Sequence, residues 1–202
     1  RRSVATWSLR LRPALSLPPV GPSRSSRPRS IAVCTSSSVG SGTNPPPPPP
    51  TAGVRVNEVM TGDTGAAADE FVELYNAGTT AAAIGGWKLV YRSAAGTSDV
   101  TLVTIPDGTT LAPGGFFLAG GSGYTAPPAA DVSFSTGLAG TAGSVGIRNA
   151  DGTLLDSVGW GETTNAFVAG TAAPAPAAGQ SIERTPDGDD TNVNATDFTV
   201  AT

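Results

Sequence analysis

Three glutamates, Glu58, Glu70 and Glu73, and an oxygen-rich run beginning at Asp187 are the residues of this chain with the types needed for chemistry. A pair of carboxylates flanking a glycosidic bond supplies a general acid and a nucleophile or base. That use requires both groups on one side of the chain. Strict alternation through Glu70–Asn76 puts Glu70 and Glu73 on opposite faces of a strand, so the sequence predicts no catalytic pair there. The run Asp187-Gly188-Asp189-Asp190-Thr191-Asn192-Val193-Asn194 offers Asp187, Asp189, Asp190 and Asn192 as candidate calcium ligands, with Asp197 beyond. Calcium takes roughly six to eight oxygens from loops of this kind. The register is not that of an EF-hand, because the glycine at the sixth position and the closing glutamate are both missing. Asp and Asn also favour turns for backbone reasons, so an Asx-rich loop before the last strand is the competing reading.

Exposed aromatic rings are the second kind of candidate. Trp160, between Gly159 and Gly161, and then Tyr124 and Phe167 are placed to stack on a sugar or a peptide. The structural alternative is a ring that closes the end of the core. Asn194-Ala195-Thr196 fits a glycosylation sequon, which matters only in a eukaryotic secretory pathway.

What is missing decides as much. The chain has no histidine, and Cys34 is its single cysteine. Triads using histidine, histidine-ligated zinc, multi-cysteine metal sites and internal disulfides are therefore excluded. A core of apolar side chains and strand ladders must hold the fold by itself. A body of about 150 residues buries enough surface for that.

Charge divides the chain near residue 51. Arg1, Arg2, Arg10, Arg12, Arg24, Arg27 and Arg29 lie in residues 1–50, which contain no acid. The remaining five basic residues face all sixteen acids in 51–202, a net of −11. Such a body repels nucleic acid, whose affinity rests on neutralised phosphates. No run approaches the roughly 20 apolar residues of a membrane-spanning helix. Residues 1–44 are expected to be a disordered basic Ser/Arg-rich tail. Its composition also fits an organelle transit segment, the alternative to an extracellular or cell-surface location. Pro45–Pro50 form the core of a semi-rigid polyproline linker spanning 45–53.

From Val54 onward, alternation and turn chemistry predict an all-β domain over 54–202. Candidate strands are Val54–Met60, Glu70–Asn76, Trp87–Arg92, Val100–Ile105, Phe116–Ala119, Val132–Phe134, Ser144–Arg148, Thr153–Val158, Ser181–Arg184 and Phe198–Ala201. Asp107-Gly108 and Asp151-Gly152 are read as tight hairpin turns. Val72 and Leu74 should point inward against Trp87 and Leu89, with Glu73 toward solvent. Alanine-rich stretches at 126–130 and 169–178 carry too many Pro and Gly residues to be helical.

Several of these pieces occur in one order: Val56-Asn57-Glu58-Val59, Glu70-Phe71-Val72-Glu73-Leu74-Tyr75-Asn76, Gly86-Trp87-Lys88-Leu89, Ile105 to Gly115, Gly143 to Ile147 and Asp151 to Val158. Together they resemble the lamin tail domain, particularly its version in bacterial surface and secreted proteins. The closing Ser181–Arg184 and Asp197–Val200 resemble the end of that version. The resemblance implies an immunoglobulin-like antiparallel β-sandwich without catalytic residues or cofactor. In nuclear lamins the domain follows a coiled-coil rod and contacts chromatin and proteins. Here there is no heptad rod and the domain is acidic, so the nuclear role does not carry over. The expected function is non-catalytic protein association, adhesion or surface attachment, with a protein or cell-surface partner. An accessory domain of a larger secreted nuclease or phosphoesterase is the alternative, and the opening on Arg1 fits a longer parent protein.

Overall fold

Apolar–polar alternation builds the strands, and a shared apolar interior sets how they stack. A computed structural model describes residues 53–62 and 69–202, so the tail 1–44 and linker residues 45–52 lie outside the described part. The elements in chain order are β1 (Val54–Met60), β2 (Phe71–Asn76), β3 (Ala82–Ala83), β4 (Lys88–Ser93), β5 (Val100–Thr104), β6 (Thr110–Leu111), β7 (Phe116–Gly121) and β8 (Val132–Phe134). They are followed by β9 (Ala142–Arg148), β10 (Leu154–Gly161), β11 (Ser181–Arg184), the single turn α1 (Asn194–Asp197) and β12 (Phe198–Ala201).

Two sheets form an immunoglobulin-like sandwich. One has the strand order β12-β11-β1-β2-β7-β8, the other β10-β9-β4-β5. Val56, Val59, Val72 and Leu74 of the larger sheet meet Leu89, Val145, Ile147, Val158 and Trp160 of the smaller one in a single buried cluster. Burying a side chain of this kind contributes roughly 1.5–3 kcal/mol, so the interior can hold the domain without a disulfide. Val72, Leu74, Trp87 and Leu89 share that cluster, as the alternation predicts.

Several details depart from the sequence reading. The short β3–β6 ladder was not anticipated, because two residues carry no detectable period. Asp151-Gly152, with Gly152 at φ +83°, turns β9 into β10 as the hairpin its sequence predicts. Asp107-Gly108 instead turns β5 toward β6, which belongs to a different ladder. The edge strand β8 runs parallel to β7, whereas the other ladders between the described strands are antiparallel. Asn57 is a bulge: Val56 pairs with Leu74 and Glu58 with Glu73, leaving Asn57 as the extra residue. Among the described residues no helix is long and apolar enough to cross a membrane.

Candidate functional site

The pleat separates Glu70 from Glu58 and Glu73. Glu70, the residue just before β2, is buried, and its Oε1 accepts the Leu138 amide at 2.9 Å. Burial pushes its carboxyl up to about 7, against the downward pull of the Leu138 N–H. It borders a cleft with Thr61, Thr141 and Pro176. Glu58 and Glu73 lie on the outer face, where β-pairing sets Glu183, Glu58 and Glu73 directly opposite one another across three neighbouring strands. Adjacent strands are about 4.8 Å apart, so this is a close row of like charges. Ser181 Oγ donates to Glu58 Oε1 at 2.6 Å, and Asn57 Nδ2 donates to Glu73 Oε1 at 3.1 Å. The expected separation of Glu70 from Glu73 holds.

The glutamate row is one side of a groove of about 200 Å³. Its other wall is apolar: Phe71, Phe116, Leu118, Tyr124, Pro127 and Pro128. Phe71 meets the Tyr124 ring edge-on, with centroids 5.9 Å apart. Phe71, Met60 and Leu118 form a small second cluster under this outer face, with Tyr124 and Ala130 packed against it. Tyr124, proposed from sequence as a stacking residue, is thus part of a groove. Phe71 and Phe116 were missed as its neighbours. They alternate with core residues, and nothing in one sequence says which outward aromatics collect.

The oxygen-rich loop surrounds a cation, and that cation is Arg184. Its side chain is fully buried. Nε donates to the Val56 carbonyl at 2.9 Å, and Nη1 donates to the Asp189 carbonyl. Nη2 lies 3.2 Å from both oxygens of Asp156. Asp197 Oδ2 and Asp190 Oδ1 stand 3.2 and 3.7 Å from Nη1, and the guanidinium sits 4.5 Å over the Phe198 ring. Asp190 also meets Arg55 Nε at 3.0 Å. Asp197 Oδ1 accepts from the amide and hydroxyl of Thr191. Burial raises the Asp156 carboxyl above its ordinary range, while Arg184, the Val56 amide and Arg55 pull it down and Asp190 adds to the rise.

The remaining loop groups tie the loop to Asn57 and to its own backbone. Asp187 Oδ1 accepts from Asn57 Nδ2, and Asn57 Oδ1 accepts the Gly188 amide, both at 3.0 Å. Asp190 Oδ1 accepts the Asn192 amide at 3.1 Å, an Asx turn that lets Asn192 adopt φ +61°. Among the described residues no group of three or more His, Cys, Asp or Glu side chains is arranged to hold a metal ion.

Trp160 is placed inside the core, with no exposed face and its Nε1 donating to the Ala139 carbonyl at 2.9 Å. The flanking glycines that suggested an exposed platform serve packing instead. Gly161, at φ +61°, passes so close to the Thr141 backbone that no Cβ would fit. Phe167 is also buried, beneath Arg92 at 4.2 Å. Asn194 of the sequon is buried too. Its Oδ1 accepts the Gly159 and Ala169 amides and its Nδ2 donates to Ser157, so the folded chain presents no acceptor amide there.

The other arginines have acidic partners. Arg92 Nε meets Asp99 at 2.7 Å, and Arg148 Nε bonds the second Asp99 oxygen. Burial works to raise the Asp99 carboxyl, but the hydrogen bonds and charges of Arg148 and Arg92 outweigh it and hold it low. With Arg55 and Arg184 also engaged, there is among the described residues no cluster of arginines turned outward for phosphate.

Residues 47–162 match the family model described as Lamin Tail Domain. No curated protein matches the chain. The matched family is an immunoglobulin-like, generally non-catalytic domain that serves in protein interaction. The match ends just after β10, whereas β11 and β12 continue the larger sheet beside β1.

Two outcomes follow from these side chains. Arg184→Leu leaves Asp156 and Asp197 buried without their counter-ion and should lower the stability of the full chain by about 3–5 kcal/mol in urea denaturation. A loss below about 1 kcal/mol would contradict the caged arrangement. For Glu70 the raised carboxyl means that the folded chain binds more protons than the unfolded one between about pH 4.5 and 7. Its contribution is therefore present at low pH and lost as pH rises through that window. Thermal melts of wild type and Glu70→Gln across pH 4.5–7.5 should show the variant gaining on wild type as pH rises. A constant difference would reject the raised carboxyl.

Proposed function

We propose that this chain, which belongs to the lamin tail domain family, acts as a non-catalytic module for protein association, adhesion or surface attachment, outside the cell or at its surface. The observation that carries this reading is the outer groove of the larger sheet, where an apolar aromatic wall faces the Glu183–Glu58–Glu73 row. Apolar surface gives affinity, and a line of one charge selects the partner and speeds its approach. The matching partner is an extended protein segment carrying cationic side chains. The acidic body, with its arginines paired to aspartates, disfavours nucleic acid.

The loop 187–194 is assigned to Arg184, Asn57 and backbone rather than to calcium. No cofactor enters the proposed activity. Melting of the full chain should give the same midpoint in millimolar calcium as in excess chelator, and a rise of several degrees with calcium would reverse that assignment.

The groove itself is tested with a labelled hepta-arginine peptide and fluorescence anisotropy at low salt. Saturable binding is expected, weakened about tenfold or more by Glu58→Gln, Glu73→Gln and Glu183→Gln combined. Equal binding to wild type and the triple variant would remove the groove as the site.

A further inference from the structure

We propose that the cleft bordered by Glu70 is a second binding site, one that takes a primary alkylammonium group such as the side chain of a lysine. This goes beyond the outer groove, with which the cleft shares no lining residue. The cleft holds about 550 Å³, within the size range of small-ligand sites. It lies where the residues after β1 meet the connection from β8 to β9 and the segment leading into β11. Leu138, Ala175, Pro176 and Ala177 give it apolar walls, and Glu70, Thr61 and Thr141 are its polar side chains. Its frame is held from several sides. The Ala139 amide donates to the Tyr91 hydroxyl at 3.3 Å, Trp160 Nε1 donates to the Ala139 carbonyl at 2.9 Å, and the Gly179 amide donates to the Gly62 carbonyl at 3.3 Å.

The chemistry of the cleft selects this ligand. Glu70 is only 2% exposed, and the hydrogen bond to its carboxyl among the described residues is the Leu138 amide on Oε1. No lysine or arginine lines the cleft, so a carboxylate there is taken from water without a counter-charge. A cation entering the cleft supplies that charge and meets Oε2. With Oε1 already engaged, the bidentate pairing that favours a guanidinium is not on offer, whereas a compact ammonium uses one carboxylate oxygen and turns its other donors to hydroxyls. Thr61 and Thr141 provide such hydroxyls, and the apolar walls take an aliphatic stem. Burial pushes the Glu70 carboxyl up to about 7. An ammonium binds the ionised form, so binding releases a proton below that point and weakens as pH falls. Glu70 is the only titratable side chain lining the cleft; Asp69 precedes it in the chain, and Tyr91 reaches the Ala139 amide from β4.

Titration of the full chain with n-butylammonium, read from the Leu138 amide in proton–nitrogen NMR spectra, tests this. At pH 8 the amide should shift saturably. At pH 5.5 the affinity should be about thirtyfold weaker, the ratio of ionised carboxyl at the two pH values for a midpoint near 7. Glu70→Gln keeps an acceptor for the Leu138 amide and should weaken binding at pH 8 about tenfold or more, with the pH dependence gone. The uncharged 1-butanol should leave the amide unshifted. Absence of a saturable shift at pH 8, equal binding by the Gln variant, equal binding of 1-butanol, or an affinity unchanged between pH 5.5 and 8 would each overturn the proposal. The pH profile of the wild-type chain decides the matter even if the Gln variant fails to fold. Nα-acetyl-lysine amide then identifies the source. Binding as tight as that of n-butylammonium assigns the cleft to a lysine of a protein partner, and binding of n-butylammonium alone assigns it to a free amine; both support the ammonium site.

Discussion

A guanidinium removed from water ties the two sheets and the closing loop together. Arg184 extends from β11 to the carbonyl of Val56 on β1, to Asp156 on β10 of the facing sheet, and to Asp197 at the end of α1. Removing a charge from water costs several kcal/mol unless its hydrogen bonds and counter-charges are supplied in the right geometry. The sequence supplies them from four separate places. The oxygen-rich loop is therefore tied to the sheets, because its Asp189 carbonyl and its Asp190 carboxylate face the same cation. Asn57 reinforces this closure from the bulge in β1 by holding both Asp187 and Gly188.

That arrangement bears on function through what it consumes. Asp156, Asp190 and Asp197 balance Arg184, Asp99 balances Arg92 and Arg148, and Glu70 is turned into the interior. Among the described residues, Glu58, Glu73 and Glu183 line the outer groove beside aromatic side chains. The immunoglobulin-like scaffold is itself neutral about function.

Much of the fold was legible because alternation is a direct imprint of the pleat. Val54–Met60, Val132–Phe134, Ser181–Arg184 and Phe198–Ala201 were bounded correctly from pattern and turn residues alone. Order of motifs supplied the family. What escaped was long-range. Nothing near Arg184 announces burial, since its partners Val56 and Asp156 are distant in the chain and only the fold brings them within bonding distance. The dense run of Asp and Asn could equally surround a metal or an arginine, and composition does not distinguish the two. Trp160 between glycines looked available for stacking, yet those glycines make room for close backbone packing. The groove joins residues from β1, β2, β7 and β11 with the loop carrying Tyr124, so no local pattern could reveal it.

Native-state hydrogen exchange tests most directly whether the caged arginine closes the sandwich. The Val56 amide is held by Asp156, the Gly188 amide by Asn57 and the Thr191 amide by Asp197. If the cage joins loop and sheets into one cooperative unit, these three amides exchange with the same opening free energy as the core ladder between Val72 and Ala119. Exchange of Gly188 and Thr191 at the rates of an open surface loop, while that ladder stays protected, would contradict it.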